Sequence, residues 1–226
     1  FEKDSVYSKI KGVAFATMTT IGPTIIFLLM LLGINFVMDV FNTTQFEQMF
    51  FSSACLYVFV LAIIISSMLN TVSSRFVSDM IFQKREEAIP SELFGSIFLG
   101  AIVSSVCALI ICLTLFFKYE VDLVFLCGYY LFAVMITVVY TSMTFVSAIK
   151  EYAKITWAFF FGILSGVLLF FLLYLFANLE VITCIIYAIA LGFLVINVII
   201  VYYVLSFFEN SDRKYFAFAG YFSKYP

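Results

Sequence analysis

Chemistry inside a bilayer is done by polar groups that lipid would otherwise expel, and this chain offers a short list of them. It has no histidine, so Ser-His triads, imidazole proton relays and histidine metal ligands are excluded within it. Five cysteines, Cys55, Cys107, Cys112, Cys127 and Cys184, fall inside apolar runs without a CxxC spacing. That reads as small buried apolar residues, not as a zinc, haem or redox centre, and no cofactor or metal is implied. Asp, Glu, Lys and Arg avoid the middle of every apolar run. A proton or sodium site built on a buried carboxylate is therefore not visible, and an enzyme lacks the acid–base pair it would need. Hydroxyls, amides and one kink remain.

The kink lies in "TMTTIGPTIIF", Thr17 to Phe27. Threonine hydroxyls bond back to the backbone about four residues earlier, and Pro23 has no N–H, which frees the carbonyl of Thr19. In lipid such a carbonyl must face protein or water. Thr17, Thr19, Thr20, Gly22 and Pro23 are thus candidates for lining a pathway, against the plainer reading of a proline kink packed on its neighbours. The lone amides Asn35 and Asn197 could bond across helices or line a cavity, and Asn197 joins the pathway candidates. A second stripe, Thr71, Arg75, Ser78 and Asp79, has helical spacing, and Arg75 and Asp79 can pair at i, i+4. It reads as a polar vestibule rim able to meet a pyrophosphate or sugar, or simply as a solvated helix end. In "AFFFGILSG", Ala158, Gly162 and Gly166 recur every fourth residue, which lets two helices approach closely. "KREEAIPSE", Lys84 to Glu92, reads as a solvated cytoplasmic loop ending at Pro90, with Ser91 as N-cap of the next helix.

These residues must be held by membrane helices. Hydrophobic residues make up 65% of the chain and charged residues 12%, where a soluble domain needs about 25% charged. Six runs of at least the ~20 residues that cross a bilayer can be drawn: about Val13 to Met38, Phe50 to Asn70 with a polar helical extension to Phe82, Leu93 to Phe117, Val121 to Ala148, Ile155 to Phe176, and Val181 to Phe208. The expected fold is all-α, a polytopic six-helix membrane bundle over 13–208, flanked by an amphipathic segment 1–12 and a linker 209–226. Eleven of the twelve Lys and Arg fall in the termini and the even-numbered connections, and only Lys118 falls opposite. Positive residues stay inside, so both termini are expected in the cytoplasm of a multi-pass cell-membrane protein. Tyr152, Lys154 and Trp157 read as an interfacial belt. No basic, aromatic-laced patch points to nucleic acid.

Three local patterns carry a family resemblance: the start "FEKDSVYSKIKG" (Phe1 to Gly12), the "IGP" of Ile21 to Pro23, and the ending "YFAFAGYFSKYP" (Tyr215 to Pro226). Together they resemble the PelG-type membrane proteins of Pel exopolysaccharide biosynthesis. The resemblance implies the flippase superfamily of lipid-linked oligosaccharide and multidrug exporters, with about twelve helices in two bundles around a cavity, working by alternating access. It also implies partners: membrane lipids, a polysaccharide of amino sugars, a cytoplasmic glycosyltransferase and other membrane subunits of a synthase. Gly22 and Pro23 carry over as the first-helix kink, and Tyr221, Phe222, Lys224, Tyr225 and Pro226 as linker. On this reading the chain is an N-terminal half whose linker leads to a second bundle. The alternative function is a membrane scaffold that anchors the glycosyltransferase without transport of its own.

Overall fold

A computed structural model describes residues 24–85, 88–149, 152–177 and 179–208. Among them the fold is all-helical: α1 (Thr24–Val40), α2 (Gln45–Phe82), α3 (Ile89–Tyr119), α4 (Leu123–Ile149), α5 (Tyr152–Phe176) and α6 (Val181–Phe207). The last five are each long and apolar enough to cross a membrane. The chain is a polytopic membrane helical protein. The kink stretch through Pro23 lies outside the described residues, as do segments 1–12 and 209–226.

By contacts the chain divides into two units, Phe1–Ser52 and Ser53–Pro226, each taken by itself. In the first, α1 turns into α2 through Asn42, whose φ of 53° is the left-handed value that Asn tolerates. Thr43 Oγ1 caps α1 by donating to Met38 O at 2.9 Å. Thr44 and Glu47 form a capping box: Thr44 N donates to Glu47 Oε2 at 2.8 Å, and Glu47 N to Thr44 Oγ1 at 3.3 Å. Gln48 Nε2 reaches Asp39 Oδ1 at 2.8 Å, and Ser52 Oγ reaches Asn35 Oδ1 at 2.9 Å. These bonds explain why so short a connection reverses the chain.

In the second unit α4 and α6 are the inner helices, more than half of their most apolar stretches being buried, while α3 and α5 are mostly uncovered and present apolar faces outward. α6 packs against both α4 and α5, and α3 packs on α4. Phe132 meets Phe193 across α4 and α6 with centroids 5.7 Å apart, and Phe59 meets Tyr140 across α2 and α4 at 5.9 Å. α4 has no charged residue over its length. Lys154 lies 5.2 Å over the Tyr203 ring, and Trp157 is exposed beside Phe160 and Phe161, an arrangement suited to a membrane interface.

Three local expectations need correction. α3 begins at Ile89, so Pro90 lies in its first turn and Ser91 lies inside the helix instead of capping it. Proline fits there because its missing N–H would have been unpaired anyway. Glu92 is buried at 2% exposure rather than solvated. Only Cys55 and Cys184 are buried; Cys107 and Cys112 are half-buried and Cys127 is exposed, since an outward apolar face holds a thiol as readily as a core does.

Candidate functional site

The most concentrated polar group among the described residues runs along α3. Glu92, Ser96, Gly100, Ser104 and Ala108 recur every fourth residue and are all buried, a single seam because positions four apart share one helix face. From Glu92 to Ser104 it extends about 18 Å at 1.5 Å per residue. At one end, Glu92 Oε1 accepts from Ser73 Oγ of α2 and from Ser96 Oγ, each at 3.2 Å, and the two hydroxyls are 2.8 Å apart. At the other end, Ser104 Oγ donates to Ala133 O of α4 at 3.0 Å, and Thr137 Oγ1 is 3.0 Å from Ser104 Oγ and 2.9 Å from Ala133 O. Gly100 joins the two ends. A methyl group there would stand 3.2 Å from Leu69 Cδ1 and 3.3 Å from Thr141 Oγ1, so the glycine is what admits α2 and α4 this close.

Two amides grip α4 from different helices. Asn70 Nδ2 of α2 donates to Tyr140 O at 3.3 Å, and Asn197 Nδ2 of α6 donates to Met135 O at 3.0 Å. The Oδ1 of each is buried without a partner among the described residues, as is Ser91 Oγ. Energetically the seam is uneven. Hydroxyl bonds between membrane helices contribute about 0.6 kcal/mol each, whereas burying a carboxylate without a counter-charge costs several kcal/mol, which its two hydroxyl donors offset in part. A first-turn position returns only about 0.3–1 kcal/mol of that to Glu92.

The stripe predicted as a vestibule is exposed: Thr71, Arg75, Ser78 and Asp79 all face outward on α2. No ion pair joins Arg75 to Asp79. Thr71 Oγ1 and Ser78 Oγ bond back to Ser67 O at 2.9 Å and Ser74 O at 2.8 Å. The α5 residues sit against α6. A methyl group on Gly162 would lie 3.0 Å from Gly192 O and collide with Ile196, and one on Gly166 would lie 3.2 Å from Ala188 O. Ala158 is wholly buried. The structure thus brings Asn197 onto α4 and the α5 small residues onto α6, and brings neither group to the exposed α2 stripe.

Comparison with family models matches residues 1–226, the whole chain, to PelG, described as "Putative exopolysaccharide Exporter (EPS-E)". The chain belongs to the PelG family. Comparison with the curated proteins and with the solved structures yields no match.

In this PelG-family chain the α3 seam is what sequence reasoning passed over. Its signal was the same every-fourth-residue rule that drew attention to Ala158, Gly162 and Gly166. Glu92 was hidden by its neighbours, because a carboxylate in a run of surface charges next to proline reads as solvated.

Proposed function

We propose that the chain is part of an exopolysaccharide transporter in the cytoplasmic membrane, moving an amino-sugar polymer by alternating access together with a second helix bundle. The observation that carries this is the match of the whole chain to an exporter family, on a fold whose five long helices suit a membrane. The polar interior adds support. Hydroxyls and amides, with one buried carboxyl among the described residues, line the contacts among α2, α3, α4 and α6. Uncharged hydrogen-bonding groups suit a hydroxylated polymer better than an ionic cargo.

On this reading Thr17, Thr19, Thr20, Gly22, Pro23 and Asn197 line the pathway. Thr71, Arg75, Ser78 and Asp79 form its cytoplasmic rim, where Arg75 meets anionic groups, and both termini are cytoplasmic. The partners are a cytoplasmic glycosyltransferase and further membrane subunits of a synthase. No chemistry on the polymer is assigned to this chain, because neither an acid–base pair nor a nucleophile–base pair is assembled among the described residues.

The test is polymer movement into vesicles holding the full-length protein, with and without its synthase. Replacing Gly22-Pro23 by Ala-Ala should abolish movement and leave synthase binding intact. Unchanged movement, with binding lost instead when the loop 83–88 is altered, would establish the scaffold and overturn the transporter.

A further inference from the structure

α2 meets the rest of its unit differently from the way α5 meets α6. It has no glycine along its length, and side-chain tips make its bonds to α3 and α4. Asn70 Nδ2 donates to Tyr140 O at 3.3 Å, Tyr129 Oη to Ala54 O at 3.3 Å, and Ser73 Oγ to Glu92 Oε1 at 3.2 Å. Each lies at or beyond the long end of the usual range for its type. Within the oxygen triangle of Ser73, Glu92 and Ser96, the Ser73–Ser96 contact is the short one, at 2.8 Å. α5 and α6, by contrast, touch backbone to backbone. A methyl group on Gly192 would lie 3.0 Å from Gly162 O and 3.6 Å from Gly166 Cα. Backbones in contact hold one register, whereas side-chain tips can exchange partners as helices slide.

The faces of α2 and α3 in contact are periodic. Ser73 lies against Ser96, and Leu69 lies where a side chain on Gly100 would go, so the two helices run antiparallel. Ser66, Asn70 and Ser73 share one face of α2 at spacings of four and three, opposite the Glu92, Ser96 and Gly100 seam of α3. The present register leaves that face under-used. Asn70 Oδ1 is buried with no partner among the described residues, and Ser66 Oγ bonds back to Ile63 O of its own helix. A slide of α2 by one turn, about 5.4 Å, toward the start of α3 brings Asn70 to Ser96. It keeps Ser73 beside Glu92 and carries Ser66 to Gly100. The orphaned amide oxygen then has a hydroxyl donor. Gly100 sets no side chain in the way, and the connection 83–88 spans about 20 Å when extended, enough to follow the displacement.

We propose that α2 and α3 form a two-register ratchet, α2 sliding by one helical turn between the arrangement described here and a second one latched by Asn70 on Ser96. Glu92 keeps the Ser73 hydroxyl as a donor in both, so the buried carboxyl is never stripped of partners. The inference does not depend on what the protein transports.

The test is pulsed electron–electron resonance of the full-length protein in lipid nanodiscs, with spin labels on Ser78→Cys of α2 and Ile110→Cys of α3 in a cysteine-free background. Both positions are exposed, so the labels leave the seam intact. They lie far apart along the helices, so their separation reads a slide nearly in full. Two distances are expected, the second about 5 Å longer than the first. Asn70→Leu removes the latch and should leave the shorter distance alone. A reference pair at Leu175 of α5 and Tyr202 of α6, also exposed, should give one and the same distance in both proteins, which verifies that Asn70→Leu folds. A single Ser78–Ile110 distance with Asn70 in place overturns the proposal, as does a longer component that persists undiminished in Asn70→Leu. A second distance at the reference pair would mean that the whole bundle flexes, and counts equally against it. The measurement needs no polymer movement, so its failure leaves the transporter reading standing, and failure of the vesicle assay leaves the ratchet standing.

Discussion

Asn70 and Asn197 do the same thing from two helices: each gives its amide N–H to a carbonyl of α4 and keeps a buried Oδ1 that has no partner among the described residues. For Asn197 the magnitudes decide what the side chain contributes to folding. Its interhelical bond contributes about 0.6 kcal/mol, and an orphaned buried acceptor costs about 1–3 kcal/mol. Asn197→Leu should therefore leave the unfolding free energy unchanged or raise it by up to about 1 kcal/mol, as measured by denaturant unfolding in bicelles. A loss greater than about 1 kcal/mol would mean that the amide is held for packing. Unchanged stability with reduced polymer movement would mark it as a pathway residue. At this scale the sequence was half legible. Asn197 stood out as a polar residue in an apolar run, whereas Glu92 stood among charges at a helix end and its burial could not be read. Burial at a helix terminus depends on which neighbour covers it, and α2 covers Glu92 from 19 positions away.

Small residues set how closely helices approach, and the glycines of this fold differ sharply in their surroundings. Gly33 of α1 has open space where a side chain would go, Gly166 would meet a backbone oxygen at 3.2 Å, and Gly162 would meet both a backbone oxygen and Ile196. Alanine gains about 0.8–1 kcal/mol over glycine in a helix interior, and overpacking costs about 1–3 kcal/mol. Thermal unfolding of the three alanine variants should rank them accordingly. Gly33→Ala should be stabilised by about 0.5–1 kcal/mol, Gly166→Ala should be near neutral, and Gly162→Ala should lose about 1–2 kcal/mol. Gly162→Ala as stable as Gly33→Ala would mean that α5 and α6 are not in this close contact. The helices themselves were legible, with most of their ends expected within a few residues, because uninterrupted apolar runs are a strong signal. Which helix lies against which was not, since a four-residue spacing marks a face and says nothing of the neighbour. The Thr44–Glu47 capping box was present in the sequence as T-x-x-E and sharpens the start of α2 from Phe50 to Gln45.

For the whole molecule, the eleven-to-one division of Lys and Arg makes orientation a matter of charge. A membrane-impermeant thiol reagent applied from outside should label a cysteine placed at Asn178 in a cysteine-free background, and should spare one placed at Arg85. Labelling of Arg85→Cys alone would invert the topology and put the Glu92 triangle at the opposite membrane surface. The inner position of α4 has a consequence for how the protein is made. Thr137, Thr141 and Ser142 each donate to a carbonyl four residues back in α4 itself, so this helix leaves the ribosome with those hydroxyls already satisfied. It can wait in lipid while α5 and α6 are still being synthesised, needing them for packing and not for solvation. A nascent chain cut after Ile149 should therefore integrate α4 as efficiently as the longer chain does.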